Sequence, residues 1–173
     1  ARGFELAGSH GPFKLQGEYI KADFDTKYDS TVAADSAAVN GDVKAWYASA
    51  AWMLTGETYA DSYKGGAWGG IKPKSPYSLG SGKGKGAWEL ALRYSKYDAS
   101  DIKVTDAGQG SRLQGSDKAN AYTVGLNWYL NPNARFMLDY VYTRYDTAFS
   151  PIDSGLPVAD DEKAIMLRGQ VNF

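Results

Sequence analysis

The sequence predicts an all-β chain, the antiparallel wall of a transmembrane β-barrel, on three observations. Apolar residues recur at every second position, tight turns alternate with long polar connections, and aromatic rings gather near the ends of the apolar runs. The chain has 173 residues, 43% hydrophobic and 14% aromatic, with a formal charge of −1 and a mean hydropathy of −0.44. No stretch approaches the roughly 18 uninterrupted apolar residues of a membrane-crossing helix. Its 13 Tyr, 5 Trp and 6 Phe are therefore arranged by pattern rather than gathered into apolar blocks. That apolar content also excludes a disordered chain. With no Cys, disulfides, thiolate metal sites and cysteine nucleophiles are absent, and without a basic excess nothing points to nucleic acid. The chain opens at Ala1 with neither a Met nor a basic and apolar leader, as after removal of a signal or inside a longer protein.

Seven strands follow from the period of two. Phe4 to Ser9 forms the first, and Phe13, Leu15, Gly17 and Tyr19 alternate with Lys14, Gln16 and Glu18 in the second. Trp46, Ala48, Ala50, Trp52 and Leu54 alternate with Tyr47, Ser49, Ala51 and Thr55 in the third. The fourth sets Trp88, Leu90, Leu92 and Tyr94 against Glu89, Ala91, Arg93 and Ser95. In the fifth, Tyr122, Val124, Leu126, Trp128 and Leu130 alternate with Thr123, Gly125, Asn127 and Tyr129. The sixth, Arg135 to Tyr145, carries Phe136, Leu138, Tyr140 and Tyr142 on one side and Arg135, Met137, Asp139 and Thr143 on the other. The last, Lys163 to Phe173, sets Ile165, Leu167, Gly169, Val171 and Phe173 against Ala164, Met166, Arg168, Gln170 and Asn172.

Gly11-Pro12 and Asn131-Pro132-Asn133 make the tight turns, whereas about residues 29–41, 100–118 and 149–161 form long, acidic connections. Residues 57–86 break this alternation, being a long connection on the short-turn side. A soluble β-sandwich also shows period-two strands, but its inner face is rich in Val, Ile and Leu. Here Trp and Tyr stand near the strand ends, as in Trp46/Trp52, Trp88/Tyr94, Tyr122/Trp128 and Tyr140/Tyr142, which describes interfacial girdles.

The segments Gly86-Ala-Trp-Glu-Leu-Ala-Leu-Arg-Tyr-Ser95, Tyr122-Thr-Val-Gly-Leu-Asn-Trp-Tyr-Leu-Asn-Pro132 and Arg168-Gly-Gln-Val-Asn-Phe173 resemble the phosphate-selective porin O and P family. So do Gly11-Pro-Phe-Lys-Leu-Gln-Gly-Glu-Tyr19, Trp46-Tyr47 through Leu54-Thr-Gly-Glu57, and Gly70-Ile-Lys-Pro-Lys74, so the likeness runs nearly end to end. Phe173 resembles the terminal Phe read by the barrel-insertion machinery. The resemblance implies a 16-stranded homotrimeric porin of the bacterial outer membrane, passing small anions such as phosphate or polyphosphate along a path lined by arginines and lysines. Seven strands then make residues 1–173 the C-terminal part of one barrel domain, since an open sheet leaves backbone groups unsatisfied in lipid. A complete eight-stranded structural barrel, its eighth strand in 57–86 or Tyr19 to Tyr28, remains an alternative, although the glycines of 57–86 make a poor strand. A general, sugar or organic-acid porin is another, since Tyr47 and Tyr129 could stack on rings.

Strand parity turns Arg93, Arg168, Arg135 and Lys14 toward the lumen, together with Glu18, Glu89 and Asp139. Arg93 and Arg168 lie near mid-strand, where an arginine facing lipid costs about 2–4 kcal/mol. Between Ser62 and Gly86 the charges are Lys64, Lys72, Lys74, Lys83 and Lys85, with no acid. In the resembling family a long connection folds into the lumen, which would bring Lys72, Lys74, Lys83 and Lys85 to the anion path. Free guanidinium groups select anions, whereas paired ones only brace the wall. No enzyme is expected: His10 has no nucleophile or orienting partner near it in sequence. The run Gly80 to Gly86 lacks the spacing and the Ser/Thr of a phosphate-binding loop. Neither metal nor cofactor is expected.

Overall fold

The computed structural model describes residues 1–29, 36–78, 80–106, 116–149 and 159–172. Its strands are β1 (Arg2–His10), β2 (Phe13–Asp29), β3 (Ser36–Met53), β4 (Tyr63–Lys64), β5 (Ala67–Trp68), β6 (Ala87–Asp98), β7 (Lys103–Asp106), β8 (Lys118–Asn131), β9 (Ala134–Phe149) and β10 (Ala159–Val171). Seven of them form one sheet in the order β1-β2-β3-β6-β8-β9-β10, with β7 added beside the outer end of β3 and β4-β5 a separate ribbon. Every pairing is antiparallel. β1 and β10 are free edges among the described residues, so the barrel does not close within this chain.

Register makes two chemically distinct faces. Phe13 pairs with Trp52, Leu15 with Ala50, Gly17 with Ala48 and Tyr19 with Trp46, and a one-residue slip would turn each set over. The apolar set faces outward without cover, Leu15 being 65% and Leu167 75% exposed. Two rows of rings bound it. Near the short turns Phe13 stacks on Trp52, and Trp88 on Trp128, which meets Phe136. Toward the long connections Trp46 meets Tyr94, Tyr94 meets Tyr122 and Tyr122 meets Tyr142. Cross-strand aromatic pairs of this kind lock neighbouring strands as well as lining the band.

The buried core lies on the other, polar face. The connection after β3 folds back onto it near the short-turn end, burying Met53, Tyr59 and Ile71 against Ala51, Ala87 and Tyr129. Its backbone is tied to the wall: the Tyr59 N–H donates to the Gly11 carbonyl at 3.2 Å and the Tyr77 N–H to that of Leu130 at 2.6 Å. Gly86 ends the connection at φ +68°, and a Cβ there would come within 2.5 Å of Trp128 Nε1 and of the Tyr129 carbonyl. Gly86→Ala should therefore cost about 2 kcal/mol, through both strain and crowding, read as a lower denaturant midpoint of the refolded full-length protein.

Several strands run further than their apolar pattern. β2 continues from Tyr19 to Asp29, so that stretch is the same strand and not an eighth one, and β3 begins at Ser36 rather than Trp46. Parts of the 29–41, 100–118 and 149–161 connections are thus paired strand. Beyond the ring rows both faces are polar, so the period fades while backbone pairing continues. Among the described residues of 57–86 the two-residue strands β4 and β5 form, alongside a 3-10 turn at Ala60–Ser62. β10 ends at Val171, and Phe173 lies outside the described residues.

Candidate functional site

The polar face brings together the residues that parity selects. In one row across the sheet Gln16 pairs with Ser49, Ser49 with Arg93 and Arg93 with Thr123. The Arg93 guanidinium carbon lies 3.7 Å from the centre of the Tyr47 ring, a stacking distance. Gln16 Nε2 donates to the Tyr47 hydroxyl at 3.0 Å. Nearer the short turns, Arg135 donates from Nε and Nη2 to Gln170 Oε1 at 3.1 and 2.8 Å, with its guanidinium 5.7 Å from the Tyr129 ring centre. Lys14 Nζ sits over the rings of Tyr59 and Trp68, 4.9 and 5.5 Å from their centres. Arg168 is exposed on β10, opposite Met137.

Two family-like segments meet in the connection. Glu57 accepts from the Thr55 hydroxyl and, at 3.0 Å, from the Lys74 N–H, while Lys74 Nζ donates to the Gly56 carbonyl at 2.6 Å. Lys72 and Lys74 border a recess with Asp61 and Ser62. Lys83 and Lys85 lie apart from these, toward the outward indoles: the Lys85 carbonyl accepts from Trp88 Nε1 at 3.2 Å and Trp128 Nε1 at 2.9 Å.

How the acids are used decides what this face can do. Glu89 is 4% exposed, yet among the described residues no cation pairs with it. It accepts from the Tyr59 hydroxyl at 2.6 Å, Asn127 Nδ2 at 2.6 Å and the Tyr129 hydroxyl at 3.5 Å. Burial and the bond to Glu89 push the Tyr59 phenol upward, keeping it a donor. The ion pairs among the described residues stand elsewhere. Arg2 and Lys21 with Asp23, Lys21 and Lys44 with Asp42, Lys44 with Asp101 and Lys163 with Asp161 lie toward the long connections, and the strand members share the parity of the outward rings. None of Arg93, Arg168, Arg135, Lys14, Lys72, Lys74, Lys83 or Lys85 has a carboxylate within 4 Å among the described residues. Carboxylates satisfied by phenols and amides leave their neighbouring cations uncompensated.

Of the partners that occupy Glu89, Asn127 is marked by strand alternation as a polar-face residue but Tyr59 is not marked by sequence pattern. Tyr59 is one of four rings in a glycine-rich connection, with Tyr63, Trp68 and Tyr77, and without an alternating pattern nothing distinguishes it from the others.

Two comparisons bear on this arrangement. The family model described as phosphate-selective porin O and P matches residues 2–173. Porin O of Pseudomonas aeruginosa is 32% identical over 144 residues, which cover 83% of this chain and 30% of that protein. The chain thus spans less than a third of the length of that curated relative.

Proposed function

The chain belongs to the phosphate-selective porin O and P family, and on that basis we propose that it forms the C-terminal part of an outer-membrane porin through which small anions, phosphate or polyphosphate among them, diffuse passively. The observation that carries this reading is the set of polar-face cations without carboxylate partners among the described residues. In this reading the polar face lines the lumen, the ring-bounded band meets lipid, the short turns are periplasmic and the long connections are extracellular. Residues 57–86 then narrow the periplasmic end of the path, with Lys14, Lys72 and Lys74 beside it. The complete barrel has 16 strands and assembles as a homotrimer.

Fixed guanidinium and ammonium groups replace part of an anion's hydration shell, and sites in series that bind weakly let it move down its gradient. Arg93 and Arg168 offer planar forks suited to oxyanions, and the lysines add mobile point charges. No covalent or energy-consuming step enters the proposal. Sugar stacking is less favoured, because Tyr129 is 7% exposed beneath the connection and the ring of Tyr47 is occupied by Arg93.

Full-length porin in a planar bilayer, under a KCl gradient, should show a reversal potential displaced toward the chloride equilibrium value. A displacement toward the potassium value would overturn the proposed function.

A further inference from the structure

One rung beyond the ring row of Tyr94, Tyr122 and Tyr142, on the same outward parity, Lys96 pairs with Asn120 and Asn120 with Arg144. Lys118 stands two residues farther out on β8, across from Asp98. Lys96, Lys118 and Arg144 have no carboxylate within 4 Å and no side-chain hydrogen bond among the described residues. The acids that face them are engaged elsewhere. Asp98 Oδ1 accepts from the Ser100 N–H and hydroxyl at 3.1 and 2.7 Å, and Asp161, across from Arg144, is paired with Lys163. Asp146 stands one rung farther from the rings than Arg144. The other flank of the sheet differs: Arg2, Lys21 and Lys44, level with Lys118, are held by Asp23, Asp42 and Asp101. The Tyr94 hydroxyl donates to Asn120 Oδ1 at 3.1 Å and ties the ring row to the cationic rung. Past the rings, the exposed Leu92, Val124 and Leu138 continue the apolar band.

We propose that this rung on β6, β8 and β9 binds the phosphate-bearing headgroup of a lipid in the adjoining leaflet, with the lipid's chains laid along the apolar band. The inference rests on the reading of the outward face as lipid-facing, and the cluster is separate from the anion path, since it stands on the opposite side of the sheet. Neighbouring strands lie about 4.8 Å apart, so Lys96 and Arg144 flank Asn120 across about 10 Å, and a phosphate seated over Asn120 is within reach of both long stems. Arg144 offers a planar fork for two phosphate oxygens, the lysines add point charges and the Asn120 amide adds N–H donors. The rung adjoins the aromatic row, the level at which headgroups lie. A free anion would meet the charges but leave Leu92 and Val124 uncovered, and a zwitterionic headgroup would bring its own cation against the lysines.

The test uses purified full-length porin in detergent, titrated with dioleoyl phosphatidic acid and separately with dioleoyl phosphatidylcholine, bound lipid being counted by native mass spectrometry. Wild-type protein should retain at least one phosphatidic acid per chain at concentrations where phosphatidylcholine is not retained. The neutral triple variant Lys96→Gln, Lys118→Gln, Arg144→Gln should lose one such lipid per chain, its affinity falling about fivefold for each cation and roughly a hundredfold together, as for cations at an anionic lipid surface. Lys96→Arg, Lys118→Arg, Arg144→Lys keeps the charges and should keep the lipid. Lys21→Gln with Lys44→Gln, at the acid-paired cations, should also keep it. Retention by the neutral triple variant, or equal loss from the Lys21 and Lys44 pair, would overturn the proposal. So would equal retention of phosphatidylcholine, which would leave the apolar band alone as the binding element. Displacement of the lipid by an equal concentration of inorganic phosphate would overturn it as well, making the rung a free-anion site. A failure of the porin reading would show instead in the wild-type reversal potential, which the lipid titration does not use.

Discussion

In full-length porin carrying Tyr59→Ala, the connection of residues 57–86 should loosen from the wall. Tyr59 is 1% exposed and fills the space between Met53, Ile71 and Tyr129. Truncating so large a buried ring costs about 3–5 kcal/mol. The loss falls on one local unit, because the connection is held by this small core and a few backbone bonds rather than by the sheet ladder. Glu89 also loses its shortest hydroxyl donor, leaving a buried carboxylate with Asn127 and a long bond from Tyr129. At about 1.4 kcal/mol per factor of ten, limited proteolysis within 57–86 should accelerate by about a hundredfold to several thousandfold, on the order set by the lost stability. Single-channel recordings should show raised, noisier conductance. Tyr59→Phe keeps the ring and removes only the bond to Glu89, so it should sit between the two, about 2 kcal/mol below wild type. Proteolysis unchanged in Tyr59→Ala would mean that the buried core does not hold the connection.

The wall and the connection differ in how far sequence reveals them. Along β6, the alternation of Trp88, Leu90, Leu92 and Tyr94 with Glu89, Ala91 and Arg93 is dictated by a sheet with unlike faces, so a period of two reads off both strand and orientation. The same alternation places Arg93, Arg135, Arg168 and Lys14 on the polar face. It stops where the two faces cease to differ. From Lys21 and Asp23 onward in β2, and before Ala45 in β3, charged residues stand on the outward parity too, and the strands continue unseen.

In the connection no period exists to be read. Its conformation is set by contacts distant in sequence: Glu57 with the backbone of Lys74, Tyr59 with Glu89, and Gly86 against the indole of Trp128. Its lysines look equivalent in a sequence because charge is all that distinguishes them there. The fold separates Lys74, tied to the Gly56 carbonyl, from Lys85, whose own carbonyl is capped by two outward indoles. Glu89 was legible as a polar-face acid, but not as one satisfied by phenols and an amide. That choice of partner occupies Glu89 without a cation, and it depends on a tyrosine thirty residues away.

Reversing both arginines, Arg93→Glu with Arg168→Glu, should have the largest effect on selectivity. Both side chains are exposed on the polar face, and neither has a carboxylate to discharge it among the described residues. A unit charge roughly 8 Å from a permeating ion, at an effective dielectric of about 40, contributes about 1 kcal/mol. Reversal changes each site by two charges, about 2 kcal/mol for chloride and as much in the opposite sense for potassium, so each substitution should alter the chloride-to-potassium permeability ratio by up to roughly a thousandfold. The double variant should pass from anion to cation preference, measured as a change in sign of the reversal potential under a KCl gradient. Lys163→Glu provides the contrast. That ammonium pairs with Asp161 at 3.7 Å and shares the outward parity of Ile165 and Leu167, so its reversal should leave the potential within a few millivolts of wild type, screened over about a Debye length. An equal shift from Lys163→Glu and from the arginine pair would mean that selectivity follows overall charge rather than the polar face. No shift from the arginine pair would remove Arg93 and Arg168 from the anion path and leave the lysines of the connection to carry it.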